Sequence, residues 1–275
     1  MFDVECVKSN LDTAWLGRCF HYFESIDSTN AYLRRLLDQG EASDGVVACA
    51  EVQTSGRGRH DRKWHSPGGL NLYFSVLLKA AEIPVRRQPL LAMLTAACLH
   101  KTVVDALAAV ACTEAISLKW PNDVWLDGRK ISGILCESVL LPKPSVILGI
   151  GVNVNADMPD FPEELRKTAS SLRMVAGHLF SRERILADFL NRLERDFLVW
   201  RNSPNGDQEL LDYWNRFDML KGREIVVTDC GRRLAGMAMG VADNGFLRLK
   251  LDDGHEMHVC AGDVHISGIE GVQIS

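Results

Sequence analysis

A chain of 275 residues that is 47% hydrophobic and 24% charged has the make-up of a soluble globular protein of one or two domains with a sizeable core. Its formal net charge of -5 and pI near 5.9 argue against a dedicated nucleic-acid binder, whose domain is usually basic. Cys6, Cys19, Cys49, Cys98, Cys112, Cys136, Cys230 and Cys260 include no C-x-x-C pair, so a zinc site is disfavoured and reduced, mostly buried thiols are expected. Met1-Phe2-Asp3-Val4-Glu5 is not a basic n-region with an apolar core behind it, and the longest apolar runs, around 90–99 and 146–152, are too short to span a bilayer. These features predict a cytoplasmic protein.

In chain order, residues 1–20 are expected to hold one short edge strand. A strand follows at His21–Ile26, then a helix over Ala31–Gly40 with a polar start at Ser28-Thr29-Asn30 and a glycine stop. One of those hydroxyls can cap the helix; its first N–H groups also form a natural anion site. Val46–Gln53 reads as a central strand ending on Gln53. A further strand covers 70–78, and Pro89 opens a long amphipathic helix ending near Val110. Ile116–Trp120 is a strand that stops at Pro121-Asn122-Asp123. Val124–Leu126 and Ile131–Glu137 flank Asp127-Gly128, a strong hairpin signal. Along 146–155, Val146, Leu148, Ile150, Val152 and Val154 share one face. Gly149, Gly151, Asn153 and Asn155 share the other, which leaves room for a flat ligand. Residues 156–180 read as an irregular loop. Two helices follow, one capped by Ser181 with the stripe Ile185, Phe189, Leu193, Phe197 and Trp200, the other at about 207–220. From Arg223 onward short alternating segments at Glu224–Thr228, Leu234–Val241, Phe246–Leu251 and Glu256–Cys260, separated by Asp229-Cys230-Gly231, Asp243-Asn244-Gly245 and Asp252-Asp253-Gly254, predict a small β-barrel. A domain boundary is placed at 221, giving units 1–220 and 221–275.

One stretch departs from the acidic background. Gly56-Arg57-Gly58-Arg59-His60-Asp61-Arg62-Lys63-Trp64-His65-Ser66-Pro67 carries Arg57, Arg59, Arg62 and Lys63 close together. Arginine forks hold carboxylate or phosphate at two points, and Trp64 offers a flat face. A solvated charge run has the same composition. The run leads into the apolar segment at 70–78, which ties it to the fold rather than to a tail.

Three separated motifs then line up: Gly56-Arg57-Gly58-Arg59 with Arg62, Trp64, Ser66 and Pro67; Lys119-Trp120-Pro121-Asn122-Asp123 followed by Lys130, Gly133, Ile134 and Leu135; and Gly149-x-Gly151-Val152-Asn153-Val154-Asn155. In this order and spacing the chain resembles the biotin–protein ligases over about residues 20 to 265. The resemblance implies an α+β fold, a mixed, mainly antiparallel sheet flanked by helices of the class II synthetase-like kind, with an SH3-like C-terminal barrel. It implies ATP-dependent conversion of biotin to biotinyl-5′-AMP and transfer to one lysine of a biotin carboxyl carrier protein. Ser28, Thr29, Asn30, Gln53, Gly56, Arg57, Gly58, Arg59, Lys130 and Gly133 fall on the biotin-site pattern. Arg59, Arg62, Trp64, Asn122, Lys130 and Asn153 fall on the nucleotide pattern. Lys130, Arg59 and Asp123 become the catalytic candidates. Asp123 is left with three readings: a Mg²⁺ contact, a base toward the incoming amine, or a structural ion pair. Only about twenty residues precede the matching region, so the ligase-only type is expected, with no DNA partner; relatives pair through the central sheet, so a homodimer is a possible state. A lipoate or octanoate ligase is similar in fold and chemistry, and a non-catalytic sensor stands as an alternative of another class.

Overall fold

The alternation of branched and small residues at 145–152 makes a strand buried on both faces, and it becomes the middle of the main sheet. The computed structural model describes residues 2–60, 62–80, 83–108, 116–140, 144–229 and 232–266. The main sheet comprises β1 (Phe20–Ile26), β2 (Val47–Gln53), β3 (Leu72–Lys79), β4 (Ile116–Lys119), β5 (Asp123–Leu126), β6 (Arg129–Val139) and β7 (Ser145–Val152), in the order β1-β2-β3-β7-β6-β5-β4. Only β1 and β2 pair in parallel; the other neighbours are antiparallel. This is the mixed, mainly antiparallel sheet expected from the motifs. The β5–β6 turn is Asp127-Gly128, both at positive φ (52° and 70°), as a two-residue hairpin of the primed kind requires.

Helices cover the sheet unequally. The helix α1 (Val4–Ser9) and the long helices α3 (Gln88–Leu107), α5 (Arg182–Asn202) and α6 (Gly206–Phe217) lie on one face. Their buried Leu91, Leu94, Phe189, Leu193 and Trp214 pack with Phe74, Val76, Leu148 and Ile150 in the principal core. On the other face a single helix, α2 (Thr29–Gln39), buries Leu33, Leu36 and Leu37 against Ala48, Leu77 and Ile147. Because α2 is short, the glycine-bearing half of β6 and β7 is left for something else to cover. Val85–Leu107 is apolar and long enough to cross a membrane by composition, yet 72% of that window is buried inside the protein, as befits a core helix.

The C-terminal sheet runs β11 (Glu256–Val259), β10 (Leu247–Lys250), β9 (Arg232–Val241), β8 (Glu224–Asp229), β12 (Asp263–Ile266), all antiparallel. Its arrangement matches a small SH3-like unit. Trp120 Nε1 donates to Gly245 O at 2.9 Å, and Met219 N donates to Leu118 O, so this sheet is stitched to the strand that ends in the Lys-Trp-Pro-Asn-Asp motif. Ile225, Val227 and Leu247 join the principal core.

Several expectations need correction. Among the described residues no strand precedes Phe20; Asp3 accepts from Glu5 N and Cys6 N and starts α1 instead, an N-cap that outweighs the β-propensity of Val4 and Val7. β2 is not central but second from the edge, since β1 pairs on it. Residues 156–180 are not irregular throughout: one-turn 3-10 segments at Met158–Asp160 and Glu163–Leu165 lead to α4 (Leu172–Ala176), closed by Gly177 at φ 75°. β12 has no counterpart among the expected segments; its four residues are too few to show a period. Among the described cysteines only Cys49 and Cys98 are buried, while Cys19 and Cys260 are exposed; Cys112 and Cys230 lie outside the described residues. The long helix was expected to reach Val110, which also lies outside them.

Phe189 is fully buried and sits edge-on to Phe74, with centroids 5.4 Å apart. Truncation to Ala should cost about 3–5 kcal/mol of stability by urea or thermal denaturation.

Candidate active site

Gly133 on β6 stands directly opposite Gly151 on β7, and Gly149 lies two residues along the same face. With no side chains, these positions let other groups lie flat on the sheet. A Cβ on Gly151 would collide with the Trp64 indole, one on Gly133 would sit 3.0 Å from Trp64 Cζ3, and one on Gly149 would run into the Asn30 amide. The bare strand face is thus covered by Trp64 and Asn30. Around it opens a cleft whose walls enclose about 1510 Å³, open solvent included.

Ser28, Thr29, Asn30, Gln53, Arg57, Gly58, Arg59, Arg62, Trp64, Asn122, Asp123, Lys130, Gly133 and Asn153 all line this one cleft. Gly56 does not. It is needed instead by the hairpin of the basic loop, because a Cβ there would press on Trp64 O and Ser66 Oγ. That hairpin is pinned by Gly58 N to Arg62 O (2.7 Å) and Trp64 N to Gly56 O (2.9 Å), with His60 at φ 52° at its tip.

The helix start forms a polar row. Ser28 caps α2, accepting from Ala31 N at 3.5 Å. Thr29 N and Oγ1 both donate to Gln53 Oε1, at 2.9 and 3.1 Å. Asn30 departs from a ligand-facing role: its Nδ2 donates to Glu137 Oε2 at 2.6 Å and its Oδ1 accepts from Ser75 Oγ at 2.5 Å. Asn153 Nδ2 donates to Ser170 O at 3.0 Å, and Asn122 Nδ2 to Ile134 O, which fixes each amide and leaves its oxygen and a second N–H to offer. Asn155, placed by alternation on the ligand face, instead uses both amide atoms on the Phe180 backbone.

The cations converge from three elements. Lys130 follows the hairpin turn beside a bulge in the β5–β6 pairing, a feature that re-aims side chains. Its backbone is clamped by Thr168 and Ser170 (2.7 and 2.9 Å). Its Nζ lies 2.8 Å from Asp123 Oδ2 and 5.6 Å from the Trp64 ring centroid. Of the three readings of Asp123, this geometry displays the ion pair. Arg62 pairs with Asp263 of β12, and Arg59 donates to Gly262 O at 3.2 Å. Burial pulls the Arg59 guanidinium below its usual range, against the opposing pull of Asp123 and Asp263. The C-terminal strand therefore completes the cleft wall, a contribution invisible in the sequence because β12 is short and distant from the motifs.

Lys119 is also a site group that the motif reading leaves without a role. It is 7% exposed, lines the cleft and places Nζ 4.6 Å from the Trp125 ring. Burial pushes its amine down to about 8; Asp123 opposes this and Lys130 adds to it. Among the described residues no three His, Cys, Asp or Glu side chains converge as a metal cage. Asp123, already paired with Lys130, does not make one alone.

Two outcomes follow from this geometry. Gly151→Ala should displace Trp64 and weaken ligand binding at least about tenfold, read by calorimetry, since the added Cβ would overlap the indole ring. Lys119 binds its proton less tightly folded (about 8) than at its ordinary value of 10.5. The cost of burying it is full below about pH 8 and is relieved as pH rises from there toward 10.5. The stability of the parent relative to Lys119→Met should rise across that window, by denaturant titration of both at several pH values.

Residues 22–155 match the model of the Biotin/lipoate A/B protein ligase family, and residues 221–266 match that of the Biotin protein ligase C terminal domain. The chain is 37% identical to the biotin--[acetyl-CoA-carboxylase] ligase of Mycobacterium tuberculosis, over 86% of this chain and 85% of that one. It is 31% identical to the bifunctional ligase/repressor BirA of Bacillus subtilis, over 90% and 74%. Among solved structures, the biotin protein ligase of Aquifex aeolicus in complex with biotin and ATP superposes with a TM-score of 0.76 at 27% identity, covering 90% of this chain and 98% of that one. With the glycine floor, the basic hairpin and the clamped lysine in one cleft, the chain belongs to the biotin–protein ligase family.

Proposed function

We propose that this cleft joins biotin to ATP and passes the biotinyl group to a lysine of a biotin carboxyl carrier protein. The observation that carries the site reading is the convergence of Arg59, Arg62, Lys119 and Lys130 above the paired glycines Gly133 and Gly151. A carboxylate and a triphosphate repel one another; bringing them together needs fixed cations aimed at the junction. In the first step a carboxylate oxygen of biotin attacks the α-phosphorus and pyrophosphate leaves with the bridging oxygen. Lys130 is assigned to the junction, because its backbone is clamped on both sides and its ammonium faces the floor. Arg57 and Arg59 flank the same junction from the hairpin, and Arg62 meets the phosphate chain. In the second step the carrier's amine attacks the acyl carbon and AMP leaves.

Thr29 and Gln53 offer hydrogen-bonding atoms at the helix start for the ureido ring, with Ser28 beside them. Gly133 admits the biotin tail. Trp64 shields the adenylate, and the free amide oxygens of Asn122 and Asn153 face the nucleotide. Asp123 holds Lys130 in the free enzyme and is released when phosphate arrives. Asp123 is the cleft carboxylate that would help hold a Mg²⁺, and such an ion would offset phosphate charge. We assign catalysis to residues 1–220 and a supporting role to 221–275, which donates Gly262 and Asp263. Acetyl-CoA carboxylase's carrier is the expected acceptor, in the cytoplasm, with no DNA partner; pairing of two copies through the main sheet is the proposed assembly.

Pyrophosphate release should require biotin and fail with lipoate; turnover with lipoate alone would move the chain to the other branch of its family. Lys130→Ala should lower the rate by roughly 10²–10³, measured as labelled biotin transfer to a carrier fragment. The hairpin at 56–67 should be cut by trypsin in the free enzyme and protected by biotinyl-5′-AMP. Equal cleavage in both states would remove its role as a cover.

A further inference from the structure

Both ends of the basic hairpin are tied to the same row of hydrogen bonds. From its far end, Ser66 Oγ donates to Trp64 O and accepts from Gln53 Nε2 at 3.3 Å; Gln53 Oε1 accepts from Thr29. Ser75 Oγ lies 2.7 Å from Thr29 Oγ1 and 2.5 Å from Asn30 Oδ1. Asn30 Nδ2 reaches Glu137 Oε2 at 2.6 Å, and Glu137 reaches back to the near end of the hairpin at Arg57 Nη2, 3.4 Å away. The row closes on itself around the cleft. Its two links at Glu137 differ in kind. The bond to Asn30 is short and charge-assisted, on an amide that is 4% exposed. The contact to Arg57 is long, between side chains 49% and 35% exposed, so it is the weak and breakable one.

We infer that Glu137 is a positioning residue for biotin binding: it fixes the amide orientation of Asn30 beneath the ligand floor and holds Arg57, and with it the hairpin, toward the cleft. An amide whose Nδ2 is committed to a carboxylate must present Oδ1 to Ser75, and that choice sets which way the Ser75 and Thr29 hydroxyls point. Glu137 therefore sets the donor and acceptor pattern of the row that meets the ligand's polar ring, without touching that ring. Glu137→Gln keeps the shape, loses the charge and lets an amide group face the Arg57 guanidinium.

The inference rests on the assignment of the Thr29–Gln53 row to biotin, and the test separates the two. Biotin affinity is measured by calorimetry without ATP, and KM for biotin, KM for ATP and kcat by pyrophosphate release, alongside the melting temperature. If the parent enzyme binds no biotin in calorimetry, the site assignment itself is lost. Given parent binding, Glu137→Gln should weaken biotin binding and raise its KM about tenfold, the loss of one charge-assisted hydrogen bond, with kcat and the ATP KM within about twofold. Glu137→Asp, which keeps the charge, should recover most of the loss. In combination with Arg57→Ala the effects should fall short of additive. An unchanged biotin KM, a fall in kcat together with melting temperature, or strict additivity with Arg57→Ala would each overturn it. So would failure of both Glu137 variants to fold, which would mark Glu137 as a structural residue.

Discussion

The structure depends on holding several like charges close together. Arg59, Arg62, Lys119 and Lys130 line one cleft, with Asp123 and Asp263 as their neighbouring carboxylates, in a chain whose overall charge is -5. Such a cluster repels itself, and burial makes the repulsion stronger because water no longer screens it. Burial is the main cause of the downward pull on Lys119 and Arg59, with Lys130 adding to it on Lys119 and Arg62 on Arg59. Each surrounding feature offsets part of it. Asp123 sits opposite Lys119 in the β4–β5 pairing and reaches Lys130. Asp263 and the Gly262 carbonyl come from the C-terminal sheet. The Trp64 and Trp125 rings offer π faces to Lys130 and Lys119. An anionic ligand supplies the missing negative charge, so the cluster is built to be completed by one.

This constraint explains why the C-terminal unit is joined so firmly. A sheet tethered only by a linker could not keep Asp263 against Arg62. Here Trp120 donates to Gly245, a residue whose Cβ would strike Leu90, and Asn215 Oδ1 accepts from Val241 N. The same strand that delivers Lys119 to the cleft thereby carries the anchor for the sheet that delivers Asp263. Packing and electrostatics share one short piece of backbone, 118–123.

Much of this was legible in the residues. The bare face of β7, the Asp127-Gly128 hairpin and the capped start of α2 follow from local rules of period, turn and cap, and all but one of the proposed site residues meet in the cleft. What stayed hidden depends on distant partners. Nothing in Asn30 itself says that Glu137 and Ser75 will use up its amide, and nothing near Gly262 and Asp263 says that they face residues two hundred positions earlier. Alternation assigned Asn155 to the ligand face, yet β7 ends at Val152 and the Phe180 backbone claims both amide atoms, leaving Asn155 out of the cleft lining. The segment 156–180 supplies the backbone clamp on Lys130 through Thr168 and Ser170, between its 3-10 turn at Glu163–Leu165 and α4.

The glycines show most clearly how fold and chemistry are bound together. Gly133 and Gly151 face each other across β6 and β7, and glycine in a strand weakens it by entropy and lost packing. A sheet tolerates that cost where neighbouring positions compensate, and Ile134, Ile150 and Val152 do so on the opposite face, inside the principal core. Around the glycines the strands are thus anchored from that side, while α2 packs on their far half at Val139 and Ile147. That leaves the other side free of bulk for a flat ligand and for Trp64 above it, so the face that stabilises the sheet and the face that serves the ligand are set by the same two-residue period.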